Sequence, residues 1–103
     1  MLIEEREFEK VREHLSKYPL FTQLLSQNWI DNTLLNQEER LQKHALFWEL
    51  LDEVKVKKLV NELTTLNSDS QIIPSVISKI KSYEDPDSFD SLRTEIMVLA
   101  HYK

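Results

Sequence analysis

The chain is expected to be all-α, a compact bundle of five or six short helices, and three observations carry that expectation. Glycine is absent from all 103 residues, where average usage would supply roughly seven. The Asn-Gly and Asp-Gly corners of tight hairpins are therefore missing. Apolar residues recur three and four apart in segment after segment, the helical period. Between those segments stand Pro19, Asn67-Ser68-Asp69-Ser70 and Asp85-Pro86-Asp87, which supply turns without glycine.

The first helix is expected over about 2–18, with Phe8, Val11 and Leu15 on one face and acidic residues in its first turns, where they suit the helix dipole. Pro19 ends it or opens the next element. Phe21, Leu24, Leu25 and Trp29 then read as one face of a second helix that fades near Asp31-Asn32. Leu34 and Leu35 fall in a connection that must itself be buried. Asn36, with Glu39 three residues on, reads as an N-cap with a capping box. The helix that follows would carry Leu41, Ala45, Trp48 and Leu51, widened by Phe47 and Leu50.

A phase slip comes next. Phe47, Leu50, Leu51 and Val54 share a register that would next require an apolar residue at Lys57 or Lys58. The later stripe instead runs through Val56, Leu59, Val60, Leu63 and Leu66, so a break is expected between Asp52 and Lys55. Asn67 is expected as a left-handed C-cap in place of glycine. Pro74 is tolerated only in a first helical turn, which starts the Ile72–Ile80 helix near Gln71 to Ile73. Asp85 or Asp87 caps the last helix, which carries Phe89, Leu92, Ile96, Leu99 and Ala100.

Composition bounds function more than it names it. A P-loop, a dinucleotide fingerprint, a nucleophile elbow and an EF-hand loop all require glycine. Without cysteine there is no disulfide framework or thiolate metal site. Net charge is −5, which opposes general attraction to nucleic acid or anionic lipid. Charges begin at Glu4, so no secretory apolar region is read, and no apolar run is long enough to span a bilayer. The expected location is cytoplasmic. One helical domain over 1–103 is expected, and the uncapped end fits the N-terminal fragment of a longer protein.

No catalytic, metal or cofactor site is assigned. His14, His44 and His101 have no partner at metal-ligand spacing, and each reads as a surface or boundary residue. Asp85, Asp87 and Asp90 read as turn and helix-start chemistry. The segment with most potential for recognition is Leu46–Leu51, five apolar residues in six. A helix facing one neighbour buries only part of its circumference, so this segment is either the central helix or a docking face. The candidate partner-binding residues are Trp29, Phe47, Trp48 and Leu51, since aromatic anchors dominate interfaces. The leading expectation is a non-enzymatic helical interaction or regulatory domain, accessory to a larger cytoplasmic protein. It would bind a protein partner, a downstream domain of its own polypeptide, or a second copy.

The alternative is a helical nucleic-acid-associated module attached to a nuclease-type core. Its markers are Lys55, Lys57, Lys58, Lys79 and Lys81, diluted by Asp52, Glu53 and Glu62. The stretch Ser88–His101 resembles a helix that precedes the sheet in some restriction-endonuclease-like proteins, with Glu95 at the matching acidic position. That resemblance implies metal-binding strands further on. The chain holds none, so no nuclease activity is assigned to it.

Overall fold

The computed structural model describes residues 3–36, 38 and 44–102. Among them the elements are α1 (Glu5–Lys17), α2 (Leu20–Leu25), a single turn α3 (Gln27–Trp29) that runs into π-type winding at Ile30–Leu34, α4 (Ala45–Glu49), α5 (Glu53–Leu66), α6 (Ile73–Ser82) and α7 (Pro86–His101). The all-α reading is what the chain adopts. No strand occurs among the described residues.

The apolar stripes read from the sequence become one core. Phe8 and Val11 of α1, Phe21 and Leu25 of α2, Leu46, Phe47 and Leu50 around α4, and Phe89, Leu92 and Ile96 of α7 are all buried. Each such side chain contributes roughly 1.5–3 kcal/mol through removal from water. Leu46–Leu51 is thus largely the central helix, with Leu46, Phe47 and Leu50 wholly enclosed. The α5–α7 seam is the most extensive helix–helix contact. Lys79 of α6 reaches Glu95 of α7 at 2.7 Å.

The corners follow local chemistry, with three departures from expectation. Asp52 caps α5 by accepting the N–H groups of Val54 and Lys55, at 3.0 and 3.3 Å. The break falls where the phase slip places it. Asp85 caps α7 by accepting the Asp87 and Ser88 N–H groups, and the Ser88 hydroxyl, followed by these two backbone donors, holds its carboxyl below the usual carboxylate range. The second helix, expected to run unbroken to Trp29, instead splits at Ser26. That residue has φ 76°, the one non-glycine positive φ among the described residues. Its Oγ accepts the Trp29 N–H at 3.3 Å and starts α3.

The other two departures concern Asn36 and Asn67. Asn36 accepts the Glu38 N–H at 3.0 Å, but a helix running from there through Ala45 is not formed. His44 is extended, with ψ 142°, and α4 starts only after it. Glu39 and Leu41, which that helix would have used, lie outside the described residues. Asn67 remains right-handed, φ −63° and ψ −19°. The chain winds on until the Asp69 carboxylate collects the Gln71 and Ile72 N–H groups, so no left-handed residue is needed there.

Candidate functional site

The α4–α5 corner gathers the most exposed apolar surface that the sequence stripe anticipated. Trp48 lies in the last turn of α4, and its carbonyl accepts the Leu51 N–H at 3.2 Å. Asp52 then turns the chain into α5, whose first turn carries Val54. Trp48 is 38% exposed, Leu51 half-buried and Val54 76% exposed. Beneath them Phe47 is fully buried, edge-on to Trp48 at 5.3 Å and to Phe8 at 5.4 Å. The corner therefore carries an apolar ridge, with Trp48 and Val54 exposed, Leu51 half-buried, and Trp48 resting on the buried Phe47 ring.

Charges ring the ridge. Glu53 binds Lys17 of α1 at 3.4 Å and Lys57 at 3.6 Å. The Lys17 hydrogen bond and the Lys57 charge keep its carboxyl below the ordinary value. Glu49, buried behind the ridge, forms a hydrogen-bonded ion pair with Arg93 of α7, while Lys55 stands 4.0 Å from the same carboxylate. Arg93 also binds Asp90 at 2.9 Å. An apolar centre with a polar rim is the general anatomy of a protein interface.

The remaining candidates are dispersed. Trp29 is half-buried on α3, edge-on to His44 at 5.3 Å, with the Lys81 ammonium 5.8 Å from its ring centre. Trp48 and Leu51 thus share one corner, Phe47 supports it, and Trp29 belongs to another contact. Among the lysines, Lys55 and Lys57 face Glu49 and Glu53, Lys58 acts on Glu62, Lys79 binds Glu95, and Lys81 covers Trp29. Lys79 is directed to α7 and Lys81 to α3. Glu95, the residue of the nuclease-like resemblance, lies in an exposed ion pair.

Several side chains escaped sequence reasoning. Val54 belongs to the ridge; its signal was the register it shares with Phe47, Leu50 and Leu51, although it was not among the candidate binding residues. Met97, Val98 and Tyr102 form a second exposed apolar strip at the end of α7. It lies off the stripe of Phe89, Leu92 and Ile96. His14 and His44 are not surface residues but are 5% and 6% exposed. Backbone carbonyls satisfy their polar atoms: Leu50 for His14 and Lys81 for His44. An open groove of about 500 Å³ lies between α1 and the α2–α3 region, lined by Leu15, Pro19, Ile30 and Leu35, with Arg12 and Asp31 among its polar residues.

Glu62 is also buried, and neither of its carboxylate oxygens has a hydrogen-bond partner among the described residues. Burial raises its pKa against the opposing charges of Lys58 and Arg93. No group of three or more His, Cys, Asp or Glu side chains that could hold a metal ion occurs among the described residues. Nor is any helix among them long and apolar enough to cross a membrane. No protein-family model, no curated protein and no solved structure matches this chain.

Proposed function

We propose that this chain is a non-enzymatic helical protein-interaction domain, accessory to a larger cytoplasmic protein, and that it docks through the α4–α5 corner. The observation carrying the proposal is the exposure of Trp48 and Val54 on either side of the half-buried Leu51, with Trp48 resting on the buried Phe47 ring. Burying an aromatic and two branched aliphatic side chains supplies the anchor of an interface. The charges of Glu53, Lys55 and Lys57 set its orientation at the rim. The partner that fits is an apolar helix face, presented by another protein or by a downstream domain of the same polypeptide.

Paired substitutions separate recognition from folding. Val54→Asp alters a well-exposed side chain and should change stability by less than about 1 kcal/mol, whereas Trp48→Ala also gives up the edge-on contact with Phe47 and should cost about 1–2 kcal/mol. Phe47→Ala empties the core and should cost about 3–5 kcal/mol. The folded Trp48→Ala/Val54→Asp variant should lose capture of whatever the wild-type domain retains. Retention of the same partners by that variant would reject the corner as the docking site. Titration with duplex DNA at low salt distinguishes the alternative, since salt-dependent binding lost on charge reversal of Lys55 and Lys58 favours a nucleic-acid role.

A further inference from the structure

The five-residue helix α4 is held at both ends by the two buried histidines. At its far end, His14 of α1 donates its Nδ1–H to the Leu50 carbonyl. At its near end His44 is the N-cap, and Nδ1 accepts the Leu46 N–H at 3.1 Å. Its other nitrogen, Nε2, lies 3.1 Å from the Lys81 carbonyl at the end of α6 and must donate to it. Alongside, the Ala45 N–H donates to the Glu84 carbonyl at 2.8 Å. The His44 ring is enclosed edge-on by Trp29 at 5.3 Å and Phe89 at 6.3 Å.

These partners fix the protonation state. A carbonyl can only accept, and an amide N–H can only donate, so His44 must be the neutral Nε2–H tautomer. A proton added at Nδ1 would face the Leu46 N–H, donor against donor, and abolish the cap. His14 differs, because its bond to Leu50 needs only a donor. We propose that His44 is a proton-operated latch: its neutral imidazole joins the start of α4 to the end of α6, and protonation releases that junction. The proposal does not rest on the docking corner, although release would loosen the helix that carries it.

Among the described residues, the charged groups facing His44 from the packed elements are Lys81 of α6 and Glu84 of the α6–α7 link. Trp29 and Phe89 bring no charge. Burial lowers the His44 pKa from its ordinary value, outweighing the Lys81 carbonyl and the Glu84 charge, which raise it. The released imidazole titrates near about 6.5, so it binds protons more readily than the latched one. The junction is therefore complete above the released-state value and weakens as pH falls through it.

The test is an NMR titration of the full chain. Ring nitrogen shifts should report an Nε2–H tautomer for His44, titrating below about 6.5. Protection of the Ala45 and Leu46 amides, corrected for intrinsic exchange, should fall by up to about tenfold between about pH 7.5 and about pH 5.5. His44→Gln keeps an acceptor and a donor but does not titrate in this range, and should lose that pH dependence. An Nδ1–H tautomer, a titration at or above the ordinary value, or protection indifferent to pH would each overturn the latch. The tautomer and titration of the wild-type ring decide the matter even where the variant does not fold.

Discussion

Residues 53–101 form three helices of 14, 10 and 16 residues, whereas the described residues between 20 and 49 fall into segments of six, three, five and five. The long helices begin with self-contained signals: Asp52 and Asp85 as caps, and Pro74 in a first turn. Their apolar stripes are regular enough to seat α5 against α7. The short segments depend on distant groups instead. The start of α4 is tied to Glu84 and Lys81, 39 and 37 positions on from Ala45 and His44, and its end to His14. Isolated helices of five or six residues are unstable in water, so this half is held by tertiary contacts where the other is largely specified by local ones.

The pair Glu49–Arg93 crosses from one half to the other and should give the largest effect of any polar contact. Arg93→Ala leaves the Glu49 carboxylate buried without its principal counter-charge, at a cost of about 3 kcal/mol. Asp90, the exposed partner of the same guanidinium, should matter far less, with Asp90→Ala costing under about 1 kcal/mol. Chemical denaturation compares them through a lowered midpoint at unchanged slope. Equal losses from the two substitutions would remove this pair from the account of how the halves are joined.

Legibility divides along the same line. The stripes of α1, α5, α6 and α7, the corner at Asp52 and the cap at Asp85 could all be read because propensity, spacing and packing agree there. Ser26 could not, because no local preference places serine at positive φ. His44 was equally hidden, since an N-cap made by an imidazole needs a carbonyl 37 residues away to orient the ring. Of the candidate site, Trp48 and Leu51 were visible as excess apolar width, while Val54, in the same register, served only to mark the break that follows the stripe. The choice between central helix and docking face was left open by sequence, because burial of Phe47 but not Trp48 depends on where α1 and α7 lie.

The regular half has its own tension at Glu62, and relieving it should give a smaller change of opposite sign. A buried carboxylate without hydrogen bonds is costly, and an apolar residue of similar size escapes that cost. Glu62→Leu should therefore stabilise the protein at neutral pH, by about 1–2 kcal/mol. The sign of the pH dependence follows from the raised folded-state pKa. The folded protein retains the Glu62 proton to higher pH than the unfolded chain, so stability is lost as pH rises between the two values. The advantage of the leucine variant should accordingly be smaller in acid than at neutrality. An advantage that shrinks with rising pH would place the burden on a group other than Glu62.

Ser26 supplies the smallest effect and the sharpest contrast between local and tertiary specification. Its backbone, φ 76° and ψ 145°, lies near a region that side chains with a Cβ avoid at a cost of about 1–3 kcal/mol. Glycine removes that strain but adds about 0.5–1 kcal/mol of unfolded-chain entropy, and it gives up the Ser26 hydroxyl cap on Trp29, worth a few tenths. The balance predicts that Ser26→Gly stabilises the protein by up to about 1 kcal/mol. Ser26→Ala keeps the strain and loses the cap, and should destabilise by about 1 kcal/mol. Thermal midpoints moving in opposite directions for glycine and alanine would identify backbone strain, rather than the hydroxyl, as the dominant local cost. If both substitutions lower the midpoint, the cap outweighs the strain, and the break between α2 and α3 is set by serine chemistry after all.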